Sequence, residues 1–495
     1  MTTRSHSNTA LIALAQACLL GAAAVSVTPL PAMAQDTAPL VVNLSGDSPE
    51  RTPGARPDPK SVEGGIWADA DKAEHAANSS GERDPDPALR AYVSSVEAKV
   101  AGPFAGDIRL SVMDRPFFNA EVNPNGYAEV WSGLLLRAQT EDQLAFVLGH
   151  ETAHFRHSHG MKRYKELKDN AHTMVAVTAV IAVVAVGAAA NSSGYASNGT
   201  YYSGYDTYGD LGGTLIDVSY LASVAALMSY SRETEAEADA YGLSYASQAG
   251  YFSGGGAQLW QDLLDETAAS DSTKVRRSVT RNNFFGSHPL ETDRVDALNA
   301  QDRKMHGGAP STRSDADEKA ARLAYREHIR PFLGSWLKDD LRRKDYGQTI
   351  FLINRMAIDG QDMGVLNFYK GEAYRLRGKP EDQNAALDCY QTALKNSDAP
   401  PETQRQLGDV YRHMGNSAEA LNAFKAYLAL APQANDAWIV QDEVDTLSKS
   451  LSAAAPVSTP TAAPVAAISS STAADAATTS PAAAVPAVAG KSQGE

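Results

Sequence analysis

The pentapeptide HETAH at residues 150–154 constrains this 495-residue chain more than any other feature of its sequence. It follows a run of helix-forming residues with an acidic start, so we expect it to lie on a helix. Residues four apart share a helix face, so the imidazoles of His150 and His154 can bind one metal ion together. Glu151 then stands beside a metal-bound water. HExxH on a helix is the signature of zinc hydrolases; for the pentapeptide taken alone, the alternative is a chance match on a buried helix.

A second motif, SRETEAEAD at residues 231–239, offers a third candidate ligand. Tetrahedral catalytic zinc commonly has three protein ligands and keeps one position for water. Glu235 and Asp239 are four residues apart, so they share a face of a second predicted helix. Taken alone, this acidic cluster is more typical of a solvated helix surface. In a chain that also carries HExxH, it indicates the carboxylate that a two-histidine site lacks.

The two motifs, in this order, resemble those of the HtpX/BepA-type zinc metallopeptidases, relatives of the CAAX prenyl proteases. The family pattern SRxxExxAD places its glutamate ligand on Glu235. A third shared element, HPxxxxR, contains His288 and Arg294. The resemblance covers roughly residues 84–300. Residues 121–123 depart from the family, in which an apolar residue and a Gly-rich turn are usual, and this puts the shape of the substrate-facing edge in doubt.

The resemblance implies one zinc ion per chain, bound by His150, His154 and Glu235. The activity that it implies is hydrolysis of peptide bonds. Glu151 would act as general base toward the zinc-bound water and then as proton donor to the leaving amine. We expect Asp239 to orient a zinc-binding histidine through its ring N–H, with an exposed position on the helix surface as the alternative.

His288 and Arg294 are predicted catalytic residues, because the oxyanion formed during hydrolysis needs a second donor. His288 has an alternative role as an inhibitory ligand that fills the open zinc position until its loop moves. His157 and His159 follow the HExxH motif but leave the helix in directions that differ from that of His150. We expect these two histidines to be packing or surface residues, not ligands.

The start of the chain and its composition bound location and partners. Arg4, an apolar stretch and the small-residue site at 32–34 predict a signal peptide that is cleaved after Ala34. Together with the family resemblance, this predicts a periplasmic protein. The net charge of −15 argues against nucleic acid as a partner, because phosphate binding needs a basic face.

The predicted fold class is α+β: a mainly helical metallopeptidase domain with a small β-sheet, followed by an all-α tetratricopeptide-repeat domain. Period-two alternation at residues 108–112 and 127–131 predicts two short strands that pack on the zinc helix. The predicted order of segments is a signal peptide at 1–34, a flexible linker at 35–82, the metallopeptidase domain at 83–300, a linker at 301–324, the repeat domain at 325–450 and a disordered Ala/Pro-rich tail at 451–495.

The repeat prediction rests on residues at tetratricopeptide positions. Gly408, Ala420 and Phe424 fit one repeat, and Ala386 and Tyr390 fit the repeat before it. A generic array of helical hairpins is the alternative. Either arrangement would form a concave surface that binds protein segments, so we expect protein substrates and protein partners.

Two weakly polar segments lie between the zinc motifs, at 174–190 and 215–228. Integral relatives carry a transmembrane hairpin at this place. The first segment is almost entirely Ala and Val, and Ala contributes little to membrane insertion. We therefore predict shortened helices that pack on the protease or contact a membrane surface, with a true membrane span as the alternative.

The leading hypothesis is an exported zinc endopeptidase that acts on misfolded or misassembled envelope proteins, which the repeats recruit. The second hypothesis is a chaperone-like assembly adaptor for outer-membrane proteins, in which proteolysis is secondary or autoinhibited. A zinc site with a purely structural role is disfavoured because it would have no use for the carboxylate of Glu151.

Overall fold

The computed structural model describes residues 50–169, 230–278 and 292–454. Several predictions lie outside the described residues, namely the signal peptide, the segments at 174–190 and 215–228, His288 and the C-terminal tail. Within the described ranges, no helix has both the length and the apolar character that a membrane crossing requires.

The described ranges form three short strands and a series of helices. The strands are β1 (Arg109–Met113), β2 (Ala120–Val122) and β3 (Tyr127–Trp131). The helices as far as residue 305 are α1 (Val62–Ser79), α2 (Pro87–Ala101), α3 (Ser132–Arg137), α4 (Glu141–Arg156), α5 (His159–Asp169), α6 (Arg232–Gln248), α7 (Gly255–Ala268), α8 (Thr273–Ser278) and α9 (Thr292–Met305). The later helices are α10 (Asp315–Ile329), α11 (Leu333–Arg342), α12 (Tyr346–Met356), α13 (Met363–Arg377), α14 (Asp382–Ala393), α15 (Glu402–His413), α16 (Ser417–Leu430) and α17 (Ala437–Ala454).

The three strands form one sheet in the order β1-β3-β2. Strand β1 is parallel to β3, and β2 is antiparallel to it. Val112 and Val130 belong to the main hydrophobic core, which the sheet shares with α2 and α4. Both predicted strands are confirmed to within one residue, whereas β2 lies where the sequence departs from the family pattern and is not predicted. A mostly helical domain with a small sheet is therefore confirmed.

The prediction of a flexible linker is wrong for the described part of residues 35–82. Helix α1 buries Trp67 and covers the outer face of the sheet through polar contacts. Asn125 donates to Asp71 at 2.7 Å, and Arg109 pairs with Glu74. The segment is rich in small and charged residues, so its composition resembles that of a linker; the partners that order it lie on the sheet.

Helix α4 carries HETAH and is buried along almost its whole length. It begins after Thr140, whose hydroxyl accepts a hydrogen bond from the backbone N–H of Gln143 at 3.3 Å. Glu141 and Asp142 occupy the first turn, where acidic side chains interact favourably with the helix dipole. At the other end, the Arg51 guanidinium donates to the carbonyl of Phe155 at 3.1 Å. Both ends of the helix are therefore held by side chains of the surrounding structure.

The predicted linker at 301–324 and domain start at 325 are wrong. Helix α9 continues to Met305 and α10 begins at Asp315, so only a short connection separates them. Helices α10–α12 place Tyr325, Trp336 and Ile353 in the same hydrophobic core as α2 and α4. Their apolar faces are thus buried against the preceding helices, which the helical periodicity of a sequence does not show.

Helices α13–α16 form two packed pairs beyond that core, with α17 packed on the second. In each pair a glycine of the first helix faces an aromatic ring of the second. A Cβ atom at Gly371 would lie 2.5 Å from Tyr390, and one at Gly408 would lie 2.5 Å from Phe424. The positions used for the repeat prediction are therefore the contact points of helical hairpins; their assignment to tetratricopeptide repeats stays a prediction.

Candidate metal centre

Helices α4 and α6 bring the three predicted ligands together. The candidate ligand atoms of His150, His154 and Glu235 all lie within 4.8 Å of one another. The two Nε2 atoms are 3.0 Å apart, and carboxylate oxygens of Glu235 lie 3.5 Å and 3.7 Å from them. All three residues are at most 2% exposed. This is the only such His/Cys/Asp/Glu group within the described ranges.

A pair of glycines allows the two helices to approach so closely. A Cβ atom at Gly149 would lie 2.7 Å from the carbonyl oxygen of Gly242. A Cβ atom at Gly242 would lie 2.7 Å from the backbone nitrogen of His150. The backbones therefore touch next to the first metal-binding histidine, and this contact places Glu235 opposite it.

Gly242→Ala is expected to separate α4 from α6, because the added methyl group would collide with backbone and not with a flexible side chain. Overpacking of this kind costs about 1–3 kcal/mol of the free energy of unfolding. We also expect loss of bound metal, measured as metal content after gel filtration.

The matched control for this change is Gly65→Ala in α1, where nothing lies within 4 Å of the added methyl group. It should raise the free energy of unfolding by roughly 0.5–1 kcal/mol and leave the metal content unchanged. If the free energy of unfolding changes by the same amount in both variants, the contact between Gly149 and Gly242 does not determine how closely the two helices pack.

Asp239 orients the first histidine, as the sequence predicts. Its Oδ1 lies 2.9 Å from Nδ1 of His150. With the proton on Nδ1, the lone pair of Nε2 is directed at the metal position. Burial alone would raise the pKa of Asp239, but the Arg294 guanidinium and the His150 ring lower it below its usual value. Asp239 therefore stays an ionised acceptor.

Arg294 occupies a different place from the one that its predicted catalytic role requires. Its Nε and Nη2 donate to the two oxygens of Asp239, each at 2.7 Å, and its Nη1 lies 3.1 Å from Glu235. The guanidinium also stacks over the ring of Trp260 at 4.5 Å. Arg294 is 5% exposed. These contacts indicate that it holds the two carboxylates in position and does not face a substrate.

The second histidine has neighbours whose role the sequence analysis missed. Nδ1 of His159 lies 2.9 Å from Nδ1 of His154, and the ring of Tyr230 stacks on His154 with centroids 4.0 Å apart. His157 accompanies them in the interior, with Nε2 3.0 Å from the Tyr245 hydroxyl. Both His157 and His159 are 1% exposed, so a surface position is wrong for each.

Glu151 is 6% exposed and lines a small cavity of about 10 Å³ between α4 and the sheet. Ala120 and Val122 of β2 line the same cavity. Since β2 is at the edge of the sheet, the predicted general base lies next to the edge strand. His288 is outside the described residues, so its two predicted roles stay predictions.

A buried carboxyl group lies behind α4. Glu97 of α2 is 5% exposed and accepts a hydrogen bond from the Thr152 hydroxyl at 2.9 Å. Burial raises the pKa of Glu97 to about 8, and the bond from Thr152 opposes this only in part. The pKa of Glu97 is higher in the folded protein than in the unfolded chain, so the neutral carboxyl group is the form that suits the buried position. The stability that depends on this neutral form is complete below pH 4.5 and is lost as the pH rises toward 8.

Glu97→Gln is therefore expected to stabilise the protein at pH 7.5 and to have little effect at pH 4.5. Each unit of pKa shift corresponds to about 1.4 kcal/mol, and an amide that lacks one partner offsets part of the gain, so we expect roughly 2–4 kcal/mol at pH 7.5. The measurement is urea unfolding of both proteins at both pH values. The control Glu381→Gln, at an exposed position, should change stability by less than about 0.5 kcal/mol. A stability gain for Glu97→Gln that is the same at both pH values would contradict the argument.

The donor set of the centre fits zinc. Imidazole nitrogens and a carboxylate oxygen are ligands that zinc prefers, and three protein ligands leave one position open, as in catalytic sites. The Asp239 contact fixes the tautomer that presents the Nε2 lone pair of His150. The burial of all three residues excludes bulk water from the ligands.

Comparisons with known proteins agree with this geometry. Residues 84–302 match the model of peptidase family M48. A protein of Vibrio cholerae named as a beta-barrel assembly-enhancing protease is 26% identical over 215 residues, which make up 42% of this chain and 38% of that protein. The mitochondrial metalloendopeptidase OMA1 of Schizosaccharomyces pombe is 31% identical over 207 residues, which make up 41% of this chain and 50% of OMA1.

The chain thus spans half or less of the length of each of these relatives. The matched region contains α4, α6 and Arg294, and therefore the whole described metal centre. The similarity of residues 84–302 to the M48 peptidase family supports the prediction of a metallopeptidase.

Proposed function

We propose that this protein is an exported, zinc-dependent endopeptidase that cleaves misfolded or misassembled envelope proteins, which its C-terminal helices recruit. The observation that carries the proposal is the buried convergence of His150, His154 and Glu235, with Glu151 on the same helix. Peptide-bond hydrolysis needs an activated water, a polarised carbonyl and a group that moves a proton. Glu151 would move the proton, and a metal ion held by the three ligands would activate the water and polarise the carbonyl.

A bound zinc ion would supply the Lewis acid that lowers the pKa of the attacking water and polarises the scissile carbonyl. Glu151 would accept a proton from the attacking water and return it to the nitrogen of the leaving amine. Asp239 holds the His150 ring in the required tautomer, and Arg294 keeps Asp239 and Glu235 in place.

The substrate is proposed to bind as an added strand on β2. Among the described residues, this strand lies at the edge of the sheet, next to β3. The backbone N–H and C=O groups of an edge strand can recognise an extended peptide without regard to its sequence. Glu151 lines the cavity directly beneath the strand. An unfolded segment of a client protein suits such a site better than a folded surface does.

The proposed client class and location rest on the helices beyond the matched region and on the name of one relative. Helices α13–α17 lie outside the matched region and add a helical array that a peptidase site alone does not need. We propose that they are tetratricopeptide repeats that bind protein clients. The name of the Vibrio cholerae relative refers to beta-barrel assembly, which supports a periplasmic location, and contact with a membrane surface is part of the same proposal.

A second candidate function is that of an assembly adaptor in which proteolysis is secondary. The exposed side chains of Leu430, Trp438 and Ile439 at the end of the helical array favour it, because such side chains commonly bind other proteins. The two candidates differ in whether the cellular role needs Glu151.

The test of the proposed function is metal analysis of the purified mature protein, together with casein digestion. We expect one zinc ion per chain, digestion that stops on addition of 1,10-phenanthroline, and recovery when Zn²⁺ is restored. Digestion that persists after complete removal of metal would overturn the proposal.

A further inference from the structure

We propose that His159 is a positioning residue for the metal ligand His154. The proposal rests on the metal centre of the proposed function and assigns that centre a second supporting chain. The first chain, from Arg294 through Asp239 to His150, serves only one of the two histidine ligands.

The contact between the two rings identifies the acceptor. Nδ1 of His159 lies 2.9 Å from Nδ1 of His154, and the ring planes meet at 82°. Only one proton can lie between two nitrogens at this distance. A ligand that binds metal through Nε2 carries its proton on Nδ1, so His154 donates and His159 accepts. The lone pair of His154 Nε2 is thereby directed at the metal position.

Helix α6 borders His159 on its other side. Glu237 follows Glu235 by two residues on this helix, and its Oε2 lies 3.6 Å from Nε2 of His159, which is beyond hydrogen-bond distance. The support that His159 gives to the centre therefore depends on its contact with His154.

The backbone between α4 and α5 is shaped to return His159 to this place. Helix α4 ends at Arg156, and Ser158 adopts a left-handed conformation with φ of 53°. Non-glycine residues seldom occupy this region, and such local strain is often found at functional sites. Its consequence here is that His159, the first residue of α5, faces His154 and is 1% exposed.

A neutral histidine is an unusual acceptor for a metal-bound imidazole, for which carboxylates and backbone carbonyls are the common partners. The uncharged acceptor keeps the second supporting chain from adding a further negative charge beside the centre, which already contains the carboxylates of Glu151, Glu235 and Asp239. Loss of such partners typically costs 10- to 100-fold in metal affinity.

The experiment measures Zn²⁺ affinity of the full-length mature protein by competition with a chromophoric chelator. His159→Leu removes the acceptor at similar size and should raise the Kd for Zn²⁺ about 10- to 100-fold. His159→Asn keeps an acceptor atom near the position of Nδ1 and should restore most of the affinity.

The matched control is His157→Leu. His157 is buried to the same extent and lies in the same turn. Its Nε2 lies beside the Tyr245 hydroxyl, its ring stacks on Tyr241, and its ring centroid lies 5.9 Å from that of His159, so this variant also tests for packing effects on His159. This variant should leave the Kd unchanged, whatever it does to stability. The absorption bands of the Co²⁺-loaded protein give a second readout, and they should shift in His159→Leu and not in His157→Leu.

Equal Zn²⁺ affinity of the wild type and His159→Leu would overturn the inference and leave the proposed function intact. Equal losses in the two leucine variants would also overturn it, because they would indicate a general packing effect. Failure of the wild type to bind Zn²⁺ would instead overturn the proposed function, and the inference with it.

Discussion

Glu151→Gln is expected to lower the rate of casein cleavage by at least about 10³-fold while the protein keeps its fold and its metal. General acid–base catalysis by a positioned side chain contributes about 10²- to 10⁴-fold, and Glu151 is the group that serves both proton transfers. Glutamine has nearly the same size, so the buried position next to His150 can hold it. The amide cannot take a proton from water at neutral pH.

The control for this change is Glu233→Gln, which makes the same substitution at an exposed position in the first turn of α6. It should cleave casein at the wild-type rate. Metal content and circular dichroism of both variants establish that the site is intact. Wild-type cleavage by Glu151→Gln would show that another group moves the proton.

Glu151→Gln also distinguishes the two candidate functions in cells. If the protein acts as a peptidase, Glu151→Gln should behave like a deletion. If the role in the cell survives while cleavage is lost, the adaptor function is the correct one. A client that stays bound to the inactive variant would identify the substrate class directly.

The grouping of His150, His154 and Glu235 could be predicted in part, because the spacing within each motif is local. The spacing of His150 and His154 fixes a common helix face, and that of Glu235 and Asp239 does the same on α6. The tertiary contact that brings the two helices together depends on Gly149 and Gly242, and a sequence pattern does not show which glycines meet.

The roles of His159 and Arg294 could not be predicted for a similar reason. His159 faces His154 only because Ser158 adopts a left-handed conformation, whereas an unbroken helix would direct it elsewhere. Arg294 was expected at the oxyanion, but its guanidinium is bound by Asp239 and Glu235. Motifs give residue types and spacing, and the partners of a charged side chain follow from the packing of separate elements.

Helix α1 and the domain boundary could not be predicted either, because both depend on contacts between separate elements. The sequence of α1 is only weakly apolar, so its order depends on polar contacts with β1 and the turn before β3. The periodicity of α10–α12 predicts that these helices belong to a repeat domain. Their apolar residues lie instead in the hydrophobic core that also contains residues of α2 and α4.

A buried network of charges joins those helices to α3, the helix before α4. Arg137 of α3, four residues before the start of α4, is 1% exposed. Its guanidinium lies 2.8 Å from Glu266 of α7 and 2.7 Å from Asp340 of α11. Arg343 adds a second contact to Asp340 at 2.8 Å. Burial would raise the pKa of Asp340, but Arg137 and Arg343 lower it, so the carboxylate stays charged.

Arg137→Met is therefore expected to lower the free energy of unfolding by about 3–5 kcal/mol, because removal of one partner leaves buried charges uncompensated. The variant should also be cleaved by added trypsin at 306–314, the connection between α9 and α10, because the C-terminal helices lose their anchor on the catalytic domain. The measurements are urea unfolding and limited proteolysis of the full-length protein.

Two further variants separate this effect from a loss of packing. Arg342→Met removes an arginine from the same region, but its pair with Asp339 is exposed, so it should cost less than about 1 kcal/mol. The double variant Arg137→Met, Glu266→Gln removes one buried charge of each sign and leaves Asp340 its pair with Arg343, so it should recover much of the lost stability, since neutral residues often replace a buried ion pair at little cost. If the double variant is less stable than Arg137→Met alone, the uncompensated charge is not the cause, and the contact between α3 and α10–α12 depends on the shape of the arginine side chain.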